Sequence, residues 1–346
     1  MKQLLSILLV LTLLLGAVPG VAQDAPVAPD AVVPAAPSPE ENEDGIVVDP
    51  SEEVQLDDIA GAYTDAAESF KKIGDMTNIL LIGMDTRPGQ KTGRSDSMIL
   101  FTLDAKHNCI KMTSFLRDLY VEIPGHKSNR LNAAIVYGGP ELLKETLRQN
   151  FGVEVDYYVG VNFSLLASVI DQLGGLTLTV EKRYVPRINA IIDWDNDVLG
   201  ISHDDGKLVV SDDVFDEDGK ADLLLTGKQA EAWSRFRYGV PGDGDFDRSD
   251  RQRELILVAM KKLQSMSMPE LVQLAVANIG NVVTDMSVVD LMQIAPAAFE
   301  LRNSEVRQLL IPLKGKYKDA IVSKMAVYLP NRVANMNAFT EFILAE

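Results

Sequence analysis

No segment constrains this chain more than Asn78-Ile79-Leu80-Leu81-Ile82-Gly83. It is a nearly continuous apolar run of strand length ending in glycine, the pattern of a β-strand covered on both faces. The sheet that holds it must therefore carry packed layers on either side. Extended segments at 97–103 and 109–115 are joined by the polar turn Asp104-Ala105-Lys106-His107-Asn108, which is hairpin spacing. A further strand at 119–123 is closed by Pro124-Gly125.

Helical signals alternate with these strands. Pro140 opens a helix running to about Phe151. After a strand at 157–161, Asn162 caps a helix over 163–173 that ends at Gly174-Gly175. A strand at 176–180 precedes residues 184–222, an irregular and strongly acidic insertion. Thr226 caps a helix to about Trp233, and a longer helix spans 246–263. Ser267-Met268-Pro269-Glu270 has capping-box spacing and opens a helix to about Ala277. A helix at 288–300, a strand at 306–312 and a helix at 331–344 complete the chain. The class is α/β or a mixed three-layer arrangement.

Met1-Lys2, an apolar run from Leu4 to Val18 and the small residues of Gly20-Val21-Ala22 have the layout of a signal peptide cleaved after Ala22. An uncleaved membrane anchor is the other reading of residues 1–22, although a full span takes roughly 17–25 apolar residues. Both readings place the chain outside the cytoplasm, in the cell envelope, anchored or secreted. Residues 23–56, rich in Ala, Pro, Asp and Glu, read as a disordered acidic linker. The folded domain spans 57–263, beginning with a short helix at 59–73, and 264–346 is an extension packed on the same domain. Cys109 is the only cysteine, which excludes an intrachain disulfide and a cysteine zinc site. Its place in a strand pattern marks a buried structural thiol. A net charge of −17 argues against nucleic acid as a partner.

Against that acidic average, groups of arginine stand out. Asp85 and Arg87 follow the first strand, at the edge where open α/β sheets place ligands. Arg94-Ser95-Asp96 enters the second strand, and Arg117-Asp118 leaves the third. In the second half, Arg235 and Arg237 are two apart, so in extended backbone they point the same way. Asp245, Arg248, Arg251 and Gln252 lie at the start of a long helix, whose N-terminus favours an anion, after the glycine-rich stretch 239–244. Guanidinium groups grip phosphate in a fork, whereas carboxylates among them make sense when a divalent cation bridges acid and phosphate. Asp85 and Asp96 are the expected ligands of Mg²⁺, with Mn²⁺ able to replace it. The competing reading of any one Arg–Asp pair is a solvated surface ion pair. No Walker loop and no nucleophile elbow is present. Asp193-Trp194-Asp195-Asn196-Asp197 starts like a calcium loop but has Val198 where that loop needs glycine, so a solvated acidic loop is expected.

Taken in order, these motifs resemble the LytR-CpsA-Psr family of envelope proteins. The matching residues are Asn78 to Gly83 with Asp85 and Arg87, Arg94-Ser95-Asp96, Ser114 to Asp118, Leu131-Asn132-Ala133-Ala134, Tyr137-Gly138-Gly139-Pro140, Asp156-Tyr157-Tyr158-Val159, Asn162-Phe163, Leu173-Gly174-Gly175, Gly227-Lys228-Gln229-Ala230, Arg235-Phe236-Arg237 and Asp243-Gly244-Asp245-Phe246 with Arg248, Arg251 and Gln252. Leu116 departs from a usual proline, Asp247 from a small residue, and the acidic insertion is long.

The resemblance implies a central mixed β-sheet flanked by helices. It implies a phosphotransferase moving a glycopolymer, such as a teichoic acid or capsular polysaccharide, from an undecaprenyl-pyrophosphate carrier at the membrane surface to peptidoglycan. Asp85 and Asp96 would then lie near Mg²⁺. Arg87, Arg94, Arg117, Arg235, Arg237, Arg248 and Gln252 would hold pyrophosphate, and Asp245 would orient the arginines or assist the acceptor. Ile135, Phe163, Leu166, Ile170, Leu255 and Val258 would line a prenyl tunnel or serve as ordinary core. Two other functions stay open: a pyrophosphatase on polyprenyl pyrophosphates, and a non-catalytic envelope regulator that binds the carrier.

Overall fold

The computed structural model describes residues 76–85, 93–237, 244–266 and 304–345, with isolated positions and short stretches between 270 and 301. The expected targeting segment, the acidic linker, the helix at 59–73, Arg87, residues 239–243 and most of the helices at 269–277 and 288–300 lie outside the described residues.

The core is a six-stranded sheet. Its first three members, β1 (Met76–Asp85), β2 (Arg94–Asp104) and β3 (Cys109–Phe115), form an antiparallel meander. β6 (Tyr157–Asn162) pairs parallel to β1, and β9 (Val283–Thr284) pairs antiparallel to β6. β10 (Glu305–Ile311) adds parallel to β3, giving the order β10-β3-β2-β1-β6-β9. The expected mixed sheet flanked by helices is thus present. Alternate residues of β1 and β2 serve opposite faces: Leu80, Ile82, Met98 and Leu100 enter one buried cluster, and Ile79, Leu81, Ile99 and Phe101 the other. That double burial is why the run at 78–83 carries no polar alternation.

On the first face lie α1 (Ala134–Phe151) and α6 (Arg332–Leu344). The helix around Pro140 begins earlier than the sequence suggested, with non-helical backbone at Gly138 and Gly139. The other side carries α2 (Phe163–Gln172), capped by Asn162 as expected, and α5 (Asp245–Ser265). A two-stranded sheet, β7 (Leu176–Glu181) with β8 (Lys220–Leu225), and α4 (Gly227–Arg235) extend this side. Thr226 caps α4 in a full capping box.

Two expectations need correction. Residues 184–222 are not irregular: they contain α3 (Val185–Leu199) and the start of β8. Ile188 and Ile192, four apart, bury one face of α3, and Asn189 and Asn196 hold the following loop through its backbone. The aspartate run 193–197 is accordingly helical and not a loop. A hairpin, β11 (Tyr317–Val322) with β12 (Met325–Pro330), was also not foreseen.

Lys111, fully buried in β3, ties the end of α6 to the central sheet. Its Nζ meets Asp104 Oδ2 at 2.8 Å and donates to the carbonyls of Ile343 and, at 2.9 Å, Ala345. A cation at a helix C-terminus is well placed for the carbonyls left open there. Cys109 is buried, and burial pushes its thiol up.

Candidate functional site

The site begins with an irregularity in the sheet. Gly83 pairs with Ser97 and Met84 with Ser95, so Asp96 is left without a partner on β1. Such a bulge re-aims the extra residue. Gly83 permits the close approach, since a Cβ there would stand 3.0 Å from the Ser97 Cβ. Asp96 turns to Arg117, at the end of β3, and the two form a close ion pair. Asp85 closes β1 with its backbone opposite Arg94, and Arg94 is exposed.

Asp118 is the hub. It meets Arg117 Nε at 3.6 Å, Arg130 Nη1 at 3.2 Å and Arg237 Nη1 at 3.3 Å. Arg237 also reaches Asp245 Oδ1 at 3.4 Å, and Arg248 Nη2 meets the same oxygen at 2.8 Å. Asp118, Asp245 and Arg248 are all buried. The two sequence clusters therefore join. Asp118 received no role from its sequence, and Arg130, preceding Leu131 in β5 (Asn129–Arg130), was missed entirely because no acid stands beside it.

Arg235 goes elsewhere. It meets Asp195 of α3 at 2.7 Å and Glu231 at 3.0 Å, and its guanidinium lies 4.6 Å from the Phe163 ring centre. The expectation that Arg235 and Arg237 point the same way fails because Arg235 ends α4 and Phe236 leaves the helix with ψ 147. Arg251 holds that exit: buried on α5, it donates to the Phe236 carbonyl at 2.6 Å and lies 3.8 Å from the Phe236 ring centre. Gln252 is half-buried, one turn beyond Arg248. At the start of α5 the Gly244 amide is already engaged, since Asp247 accepts from it at 2.8 Å. The departure at Asp247 thus supplies a cap. Leu116 donates its amide to the Ile311 carbonyl at 2.9 Å, a bond that the usual proline could not make.

Charge is unevenly balanced. Burial opposes the ionised form of Asp96, yet Arg117, Arg248 and Arg237 hold its carboxyl below the usual range. Burial likewise works against the Arg117 cation, but Asp96, Asp118 and Asp245 outweigh it and hold the guanidinium above the ordinary arginine range. Arg248 is pushed down to about 10 by burial, helped by Arg117 and Arg237 against the pull of Asp245. It remains a cation at neutral pH. Among the described residues, four guanidinium groups (Arg117, Arg130, Arg237, Arg248) face three carboxylates (Asp96, Asp118, Asp245), an excess of one positive charge. A bound oxyanion would offset that excess.

The carboxylates also suit a hard divalent cation. Among the described residues no cluster of three ligating side chains exists, but Mg²⁺ needs only one or two carboxylates beside phosphate oxygens. Asp96 engages Arg117 through Oδ1, with no bond to Oδ2 among the described residues, and Asp85 ends the neighbouring strand. The tunnel candidates do not all converge. Ile170 and Leu255 are buried in one cluster with Leu166 and Val258, whereas Ile135 belongs to the core on the opposite face of the sheet.

An α/β sheet with an arginine–aspartate network at one strand end defines an anion-handling protein of this layered class. The LytR_cpsA_psr family model matches residues 49–338, and the chain belongs to that family. It is 28% identical over 271 residues to the regulatory protein MsrR of Staphylococcus aureus strain COL, covering 77% of this chain and 74% of the relative. It is 34% identical over 186 residues to the polyisoprenyl-teichoic acid–peptidoglycan teichoic acid transferase TagU of Bacillus cereus, covering 54% and 52% of the two chains. Among solved structures it resembles TagT bound to LIIa-WTA, with 25% identity, a TM-score of 0.58, and 80% and 94% of the two chains covered.

Proposed function

We propose that this protein is a phosphotransferase that moves a glycopolymer from an undecaprenyl-pyrophosphate carrier to peptidoglycan in the cell envelope. The observation that carries the reading is the buried Arg248, brought together with Arg117 and Arg237 around Asp96, Asp118 and Asp245, a convergence of guanidinium groups suited to a pyrophosphate. The name borne by TagU describes the same reaction class. Teichoic acid and capsular polysaccharide are the polymers in view, and an N-terminal export signal belongs to the same reading.

The acceptor hydroxyl oxygen attacks the phosphorus that bears the glycan. The bond from that phosphorus to the bridging oxygen breaks, and polyprenyl monophosphate leaves. Arg117, Arg237 and Arg248 stabilise charge growing on the departing oxygens, the main contribution a protein makes to such a step. Asp118 and Asp245 fix the guanidinium groups in place. Asp85 or Asp245 receives the hydroxyl proton. In this reading Arg94, Gln252 and Arg87, the last outside the described residues, bind the rim of the same anion. Arg235, turned to Asp195, joins them only on leaving that partner. Asp85 and Asp96 would hold Mg²⁺, or Mn²⁺, which supplies further neutralisation of the pyrophosphate.

Transfer from a lipid-linked glycan to peptidoglycan fragments is the test, with Arg117→Ala and Asp96→Ala. Both variants should fold, by circular dichroism and thermal melting, and transfer nothing. Normal transfer by both sinks the reading. Phosphate release without peptidoglycan would point to hydrolysis, and tight carrier binding with no turnover to a regulator.

A further inference from the structure

The hairpin β11–β12 stands outside the central sheet. Its Ala320, Val322 and Val327 pack on Tyr120 of β4 (Tyr120–Val121). The alternate face carries Tyr317, Asp319 and Tyr328, with Asp319 and Tyr328 directly opposite across the ladder. This face meets Phe246, the neighbour of Asp245 in α5. The Tyr317 ring stacks 5.4 Å from Phe246, the Tyr328 ring stands edge-on at 5.7 Å, and the two tyrosines are 5.1 Å apart. All three rings are half-buried.

The hairpin is fastened to the charged network. The Tyr328 amide donates to the Asp118 carbonyl at 3.0 Å, and Arg130 Nε donates to the Ala326 carbonyl at 3.1 Å. Burial, then Asp245 and Asp118, hold the Tyr328 phenol above its ordinary range, so it stays a protonated donor. Its hydroxyl has no hydrogen bond among the described residues. Asp319 has no ion pair among them either, and burial raises its carboxyl. The result is an aromatic wall, with a free donor and a free acceptor, continuous with the groups around the reacting phosphate.

We propose that Tyr317, Asp319 and Tyr328 form a saccharide subsite, in which a pyranose ring bonded to, or about to attack, the phosphorus lies against the tyrosine rings and shares its hydroxyls with Asp319 and the Tyr328 phenol. A pyranose offers an apolar C–H face and a rim of hydroxyl groups. Half-buried aromatics cover the first, and a carboxylate with a phenol satisfies the second. The inference rests on the phosphotransferase reading, which brings a sugar beside the anion.

The test is calorimetric titration of the full chain with three probes: a polyprenyl pyrophosphate without sugar, the same pyrophosphate bearing one N-acetylhexosamine, and a peptidoglycan disaccharide. Wild type should bind the sugar-bearing lipid about tenfold more tightly than the bare one, or bind the disaccharide, and the arm that responds identifies the sugar's source. One lost hydrogen bond or stacking contact is worth roughly tenfold in affinity. Tyr328→Phe, Asp319→Asn and Tyr317→Ala should each erode that increment while bare pyrophosphate binding stays within about twofold. The first two are nearly isosteric, so misfolding does not mask them. A sugar response, in either arm, untouched by all three variants, or absent from both arms in a wild type that binds bare pyrophosphate, overturns the subsite. Failure of the wild type to bind bare pyrophosphate overturns the underlying reading instead, and the disaccharide arm then still decides the subsite.

Discussion

Asp118 and Arg237 stand 119 positions apart in the chain, and their side chains meet at 3.3 Å. Through this contact the strand-end cluster and the helix-start cluster become one site, with Arg117 and Arg130 held by the same carboxylate.

Asp118→Asn keeps the shape and removes the charge. Three guanidinium groups then repel one another without a common partner. Breaking a buried ion pair in this way costs about 3–5 kcal/mol, and a catalytic group displaced by about 1 Å can lose a hundredfold in rate. Urea denaturation should show the first, and the transfer assay a fall in turnover of about that size.

Gly227 opens α4 directly against α2. A Cβ there would lie 1.9 Å from the Ala167 carbonyl oxygen, and the Gly227 amide donates to Asp171 at 2.7 Å. Gly227→Ala must push the two helices apart, at the upper end of the about 1–3 kcal/mol typical of overpacking, or beyond it. A melting temperature equal to wild type would show that the contact is looser than described.

Lys111→Met leaves Asp104 and two terminal carbonyls without their cation. The expected loss is about 3–5 kcal/mol. Hydrogen exchange should quicken first in α6, because Lys111 holds the carbonyls at its end. Uniform acceleration across the protein would point to a general core defect.

Asp96 makes stability depend on pH in a defined window. Its folded carboxyl titrates below the unfolded value of about 3.9, so its stabilising contribution is complete above that value and is lost as pH falls through the folded value. The difference in urea midpoint between wild type and Asp96→Asn should hold constant from neutrality to about pH 5 and shrink only below about pH 4. A difference that vanishes by pH 6 would show that Arg117 does not hold the carboxylate.

The sheet was legible because its strands are apolar on both faces, as at 78–83, and the caps at Asn162 and Thr226 announced their helices. α3 escaped notice because Asp193, Asp195 and Asp197 mask the pair Ile188 and Ile192 that buries its face. β11–β12 escaped because Ser323 and Lys324, with φ of 50° and 67°, make a tight turn that usually announces itself by glycine or asparagine. The charged groups of the site were legible by type, but their partners were not. Spacing alone could not show that Arg235 turns to Asp195, that Arg130 joins Asp118, or that a bulge frees Asp96 from its ladder.

The pairing of β3 with β10 governs how the protein reaches its native state. Ser304, just before β10, contacts Asn108, just before β3, across 196 positions. A nascent chain that has completed β3 must therefore wait with one strand edge open, the situation that invites intermolecular pairing. Contacts this distant in sequence also slow folding, since the loop must close before it is rewarded. The strand that leads to the Arg117–Asp118 network is thus enclosed only after β10 has been made, late in the synthesis of the domain.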